Sequence, residues 1–152
     1  GLYVLDVASG DVLWQQSVTR GCTIAPENRP LIGLESMRSG KAPDLAQLYQ
    51  CSFYYGLSAA ATATPELAFS AGLDGKLRAY DIQSGDILWQ TETAVPFVTR
   101  NGVKGHGGAI DVGGAVLASG WLYVQSGYSM FGQLPGNVLL AYKVAQKPLD
   151  SE

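Results

Sequence analysis

Charge is scarce in this 152-residue sequence: only 15% of residues are charged, the formal net charge is −3 and the pI lies near 5.0. No basic stripe exists to neutralise phosphates, which argues against a nucleic-acid partner. Long apolar runs are missing too. None approaches the length of about 18 residues that a membrane-spanning helix needs. The two cysteines, Cys22 and Cys51, lack the CxxC or CxxCH spacing that zinc, redox chemistry or c-type haem demands. Histidine occurs once, at His106, and no D-x-D-x-D loop or carboxylate cluster offers itself to calcium.

What is present points to order. Hydrophobic residues make up 47% of the chain, and 19 glycines and 7 prolines punctuate it. That is the profile of a turn-rich, mostly β chain of single-domain length. The sequence opens on Gly1 within a strand pattern and shows no export leader; it reads as a piece of a longer chain.

The segment "SGDVLWQ" at Ser9 to Gln15 returns as "SGDILWQ" at Ser84 to Gln90, 75 positions later. The likeness extends back, with "LYVLDVASGDVLWQ" lying over "LRAYDIQSGDILWQ". Asp6 matches Asp81, Gly10 matches Gly85 and Trp14 matches Trp89. Each copy reads as a hairpin: an alternating strand, a turn in which the glycine takes φ > 0, and a returning strand carrying the tryptophan.

Around the second copy, "LSAAATA" (57–63), "ELAFSAG" (66–72) and the "GLDG" turn (72–75) complete four antiparallel strands, innermost first. The pattern restarts with "GAVLASG", "WLYVQSG" and "NVLLAYKV", three strands without a fourth. The expected fold is therefore all-β, a partial β-propeller of four-stranded antiparallel blades, one complete and two incomplete. Residues 1–18 supply the outer strands of one blade, 57–93 the complete blade and 114–145 the incomplete last one. An inter-blade loop covers 94–113 and a polar tail covers 146–152.

Residues 19–56 form an insertion that stretches the usual blade period of about 40–50 residues. It carries one short helix expected at 43–50, with Pro43 at the first helical position. Cys22 and Cys51 bracket it. A disulfide between them would close a long loop, worth about 3–4 kcal/mol by chain entropy, and would imply an oxidising compartment. Two unrelated buried thiols are the alternative.

"AYDIQSGDILW" (79–89) and "VLDVASGDVLW" (4–14) resemble the tryptophan-docking motif of the pyrroloquinoline-quinone (PQQ) propeller repeat of quinoprotein alcohol dehydrogenases. The resemblance implies that Trp14 and Trp89 pack between adjacent blades while Asp6, Gly10, Asp81 and Gly85 fix the turns. The third unit departs from it, with Lys143 in the aspartate position. "AFSAGLDGKLRAYD" and "NGVKGHGGAIDVGGAVLASGWLYVQSGY…PGNVLLAY" further resemble the C-terminal part of polyvinyl-alcohol-dehydrogenase-type members. In that family PQQ serves as cofactor, with calcium beside it.

The segment "TETAVPFVTRNGVKGHGGAID" (91–111) should cross the face of the propeller toward its opening. A quinone tricarboxylate needs cationic or N–H donors, for which Lys104, Arg100 and the backbone at Gly107 and Gly108 are candidates. Alcohol oxidation needs a base for the hydroxyl proton, for which His106 and Asp111 are candidates. His106 can equally hydrogen-bond a neighbouring loop, and Asp111 can cap a turn. "SGYSMFGQLPGN" (126–137) reads as a long loop forming one wall, and Trp121 as core or as a stacking ring.

The expected function is a fragment of a periplasmic or secreted PQQ-dependent alcohol dehydrogenase that oxidises hydroxyl groups and passes electrons to a cytochrome c. On its own it is expected to be inactive, because the remaining blades of the parent chain must close the ring. The alternative is a non-catalytic PQQ-like propeller that presents loops to other proteins.

Overall fold

The computed structural model describes residues 1–18, 55–128, 130 and 133–143, and every regular element among them is a strand. Two strands, β1 (Leu2–Leu5) and β2 (Val12–Gln16), form the first antiparallel sheet. The second holds β3 (Thr62–Ala63), β4 (Leu67–Ala71), β5 (Lys76–Asp81) and β6 (Ile87–Glu92), in that spatial order. A small hairpin of β7 (Pro96–Val98) and β8 (Lys104–His106) follows. The last sheet runs β9 (Ala115–Ala118), β10 (Trp121–Ser126) and β11 (Val138–Lys143). Two, four and three sequentially ordered antiparallel strands make this a partial β-propeller, all-β, with one complete blade and two incomplete ones.

The repeated heptapeptides build the same object twice. Asp6 Oδ1 accepts the N–H groups of Ala8 and Ser9 at 2.9 and 2.8 Å, and Asp81 Oδ1 accepts those of Gln83 and Ser84 at 2.8 Å each. Gly10 and Gly85 both sit at φ 78°, the left-handed region that lets the strand reverse without a Cβ clash. Even the bulge repeats, between Val4 and Leu5 and between Ala79 and Tyr80. The β9–β10 turn is of another kind. Ser119 and Gly120 both have positive φ, as a two-residue type I′ hairpin requires.

Alternation along the strands sets the packing. On one face of the complete blade, Phe69, Ala71, Leu77 and Ala79 bury themselves against Ala115, Leu122 and Val124 of the last blade, with Ile110 filling the seam. On its other face Tyr80 meets the first blade. Burial falls off radially: β4 and β5 are largely buried while β6 is mostly exposed. The outward face of the last blade also stays open, with Val116 56% and Leu139 72% exposed.

Two readings of the sequence change. "LSAAATA" is not one strand: only Thr62 and Ala63 pair with β4, and Ala60 instead donates its N–H to Val112 O at 3.2 Å. The small side chains serve close approach of two loops rather than a sheet. Residues 94–113 are not simply a connection, because Val98 pairs with Lys104 and Pro96 with His106 in the β7–β8 hairpin. The insertion up to residue 54, its helix at 43–50, the Cys22–Cys51 pairing, Phe131 and the tail lie outside the described residues.

Candidate functional site

Three connections gather at one end of the blades. Thr93 N donates to Gly75 O at 2.8 Å, Ile110 N to Gly72 O at 3.1 Å, and Ala109 N to Leu134 O at 2.8 Å. These bonds tie the strand-linking segment 93–112 to the β4–β5 turn on one side and to the β10–β11 loop on the other. The candidate residues His106 and Lys104 ride on this strap.

Close backbone approach explains its glycines. A Cβ at Gly107 would stand 1.8 Å from Thr93 O, and one at Gly108 would stand 2.2 Å from Leu134 O. Their N–H groups are spent inside the fold, from Gly107 to Val95 O at 3.0 Å and from Gly108 to Ser126 Oγ at 2.8 Å. These glycines therefore shape the strap but do not present the free donors that the sequence suggested. Beneath them Thr93 and Ser126, both fully buried, share a hydroxyl–hydroxyl bond of 2.8 Å. Thr93 Oγ1 also lies 2.7 Å from Gly75 O and Ser126 Oγ 3.0 Å from Gly108 O, so the two hydroxyl protons serve three contacts in turn. This pair joins the last two blades through the strap.

Above it opens a hollow of about 680 Å³ lined by Ala94, Lys104, His106, Leu134, Pro135 and Asn137 together with intervening glycines. His106 is locked at its backbone: its N–H donates to Asn137 Oδ1 at 2.9 Å and its carbonyl accepts Asn137 N–H at 2.8 Å. The imidazole Nδ1–H donates to Gly107 O. A carbonyl oxygen only accepts, so in the neutral ring the proton sits on Nδ1 and the Nε2 lone pair is left for another donor. Nε2 has no partner among the described residues. Among the described residues no carboxylate lines the hollow, and Lys104 is its charged group.

Asp111 lies elsewhere. It lines a second cavity of about 410 Å³ with Val112, Val116, Tyr123, Gln125 and Tyr128. Its Oδ1 accepts Val112 N–H at 2.7 Å and its Oδ2 accepts Gln133 Nε2 at 2.9 Å. Val112 holds φ 55°, a costly conformation for a β-branched residue. Arg100 sits exposed on the β7–β8 turn and lines neither cavity. The structure thus brings Lys104, His106 and Gly107 together and keeps Arg100 and Asp111 apart from them. Trp121 stands on the open face of the last blade, 36% exposed, with Lys143 Nζ 5.6 Å from its ring centroid.

The repeated tryptophans occupy equivalent seams. Trp14 stacks on Tyr80 of the next blade with centroids 6.0 Å apart, and Trp89 meets Tyr142 of the blade after at 5.3 Å, edge to face. Burial raises the phenol pKa of both tyrosines, the same displacement in the same structural position. Trp14 Nε1 also donates to Ile82 O at 2.9 Å.

Sequence reasoning passed over Asn137, Thr93, Ser126 and Gln133. Asn137 follows Pro-Gly and reads as turn punctuation. The two hydroxyls look like ordinary strand-end residues, because their partner lies 33 positions away.

Among known proteins, the chain is 38% identical over 100 residues to a polyvinylalcohol dehydrogenase from a Pseudomonas species, covering 60% of this chain and 16% of that protein. It is 28% identical over 158 aligned positions to a polyvinylalcohol dehydrogenase from a Sphingopyxis species, covering 97% of this chain and 21% of that protein. The chain thus spans about a fifth or less of the length of the curated relatives it matches. No protein-family model matches it. Among solved structures it is similar to BamB from Moraxella catarrhalis, with a TM-score of 0.45 and 17% identity over 82% of this chain and 28% of that one.

Proposed function

We propose that this chain is part of a quinoprotein dehydrogenase that oxidises a hydroxyl group, and that the hollow beside His106 forms one wall of its active site. The observation that carries the reading is the state of His106. With Nδ1 on Gly107 O, Nε2 is the ring nitrogen left over, in a residue that lines a hollow with no carboxylate among its described lining residues. Similarity to two polyvinylalcohol dehydrogenases supports the substrate class, an alcohol; a place in the periplasm or outside the cell is part of the same proposal.

The residues present fit a polycarboxylated quinone in part. Lys104 suits a carboxylate, and no like charge on the rim opposes it. Among the described residues no Phe, Tyr or Trp ring lines the hollow to stack on a planar cofactor, and none form a group of three His, Cys, Asp or Glu side chains to hold calcium. The stacking surface and any metal ligands would come from other parts of the protein. PQQ, when bound, supplies a two-electron acceptor for hydride; cytochrome c is the proposed onward acceptor. His106 Nε2 takes the hydroxyl proton, and Lys104 holds anionic ligand groups at the rim. Asp111, with both carboxylate oxygens already accepting hydrogen bonds, serves better as an orienting group for its own cavity than as the base.

With no stacking ring among the described residues of the hollow, a second reading stands beside the first, a PQQ-like propeller that uses these loops to bind another protein. Adding PQQ and Ca²⁺ to the protein that carries this chain, then assaying dye reduction with secondary alcohols, separates the two. Quinone-dependent turnover that falls at least about a hundredfold in His106→Gln supports the dehydrogenase. Absence of quinone binding leaves the scaffold.

A further inference from the structure

We infer that the chain associates with itself head to tail, the open face of its last blade receiving the first blade of a second copy. The inference stands apart from the dehydrogenase reading. It comes from the burial of β1, β5 and β11, which the repeat sets in register: "LYVLD" (2–6), "LRAYD" (77–81) and "LLAYK" (139–143). Both faces of β5 are covered. Leu77 and Ala79 are buried toward the last blade, and Tyr80 is buried toward the first, where Trp14 stacks on it. On β11 only one face is covered. Leu140 and Tyr142 pack toward the complete blade, while Leu139 is 72% exposed against 0% for its equivalent Leu77. On β1 the opposite face is open: Leu2 and Val4 are half-buried, but Tyr3 and Leu5 are each 52% exposed, against 2% for Tyr80. Each open face is thus one half of a seam that the chain already builds twice, and the two halves are of opposite kind.

A matched pair of departures from the repeat identifies the occupant. In both internal seams a tryptophan of an outer strand meets a tyrosine of the next blade, Trp14 with Tyr80 and Trp89 with Tyr142. The last blade has no outer strand among the described residues, and the sequence holds no tryptophan after Trp121. The first blade lacks the receiving tyrosine, because Leu5 stands in its place. A face without the indole therefore meets a face without the ring that would take it. The contact that remains is aliphatic, Leu5 of one copy against Leu139 and Ala141 of the other. The cavity of about 410 Å³ between Val116, Tyr123, Gln125 and Leu139 opens on the same face and gives the incoming side chains room. Removing these apolar surfaces from water drives the association. Since unlike faces meet, the contact is heterologous and copies add in one direction.

Sedimentation velocity on the full 152-residue chain and two variants tests this. Leu139→Arg blocks the last-blade face and Leu5→Arg the first-blade face, and both side chains are exposed, so neither change enters the core. Val116→Arg and Tyr3→Arg block the same two faces from other exposed positions and should behave alike. The native chain is expected to form oligomers that grow with concentration. Each variant alone should sediment as a monomer. An equal mixture of Leu139→Arg and Leu5→Arg should give a dimer and nothing larger, since each brings the one intact face that the other lacks. A native chain still monomeric at about 100 μM would overturn the inference. A mixture that stays monomeric would do the same. So would a Leu5→Arg chain that associates by itself, because last-blade faces would then be pairing with one another.

Discussion

Trp14 lies directly over Gly85: a Cβ at Gly85 would stand 2.7 to 3.0 Å from the indole atoms Cδ2, Cε3 and Cγ. The glycine that turns one blade's hairpin is also the floor on which the preceding blade's tryptophan rests. Gly10 is its repeat equivalent at the same φ of 78°, yet nothing lies within 4 Å of its Cβ position.

That contrast separates backbone strain from docking. Gly10→Ala meets only the left-handed penalty, about 1 kcal/mol. Gly85→Ala adds overlap with Trp14, for a total of about 2–4 kcal/mol. Urea denaturation of the two variants should show that gap, and equal losses would mean that the indole moves aside freely. Trp fluorescence should shift in Gly85→Ala alone.

Acid should weaken both hairpins. The backbone N–H groups of Ser9 and Ala8 hold the Asp6 carboxyl below its ordinary 3.8, and those of Ser84 and Gln83 do the same for Asp81. A carboxyl with a depressed folded-state pKa stabilises above its unfolded value, and that stability is lost as pH falls through the folded one. The loss should begin below about pH 4. Asn at either position still accepts the turn's N–H groups but does not titrate. Denaturation midpoints between about pH 2 and 6 should be flatter in the Asp6→Asn, Asp81→Asn double variant than in the native chain.

The Thr93–Ser126 bond should behave as a coupled pair. Ser126→Ala leaves Gly108 N–H and Thr93 Oγ1 each short of a partner in a fully buried site, at about 1–3 kcal/mol. The double change with Thr93→Val should cost less than the two single losses added together. Hydrogen exchange at the Gly108 amide should accelerate in Ser126→Ala. Strictly additive losses would show that the two hydroxyls act independently.

Asp74 and Arg78 should respond unequally to removal. Their ion pair is 2.6 Å long with side chains 11% (Arg78) and 22% (Asp74) exposed, and Arg78 Nη1 is buried without a hydrogen-bond partner among the described residues. Asp74→Ala strips the remaining partner from a mostly buried cation and breaks the bond to Lys76 N, at about 2–3 kcal/mol. Arg78→Met keeps most of the volume and leaves a carboxylate that water can reach, at about 1 kcal/mol or less. Thermal unfolding of both variants orders them, and the reverse order would refute the argument.

The sequence by itself determined the hairpins and the blade order. Those rest on local chemistry: alternating apolar residues, an aspartate two and three positions before the N–H groups it accepts, and a glycine where φ must be positive. A duplicated heptapeptide therefore announced duplicated hairpins, and strand counts of two, four and three followed. The same local reasoning went wrong at 57–63, because an alanine-rich run fits both an inner strand and a tight crossing of loops. It also missed the β7–β8 hairpin, whose two strands are only three residues each. Tertiary structure alone decided the site. It placed Asn137 against His106 across 31 positions, spent the Gly107 and Gly108 N–H groups internally, and sent Asp111 to a different cavity. Hydrogen bonds between distant loops depend on where folded blades bring those loops, and no spacing within a single segment encodes that meeting.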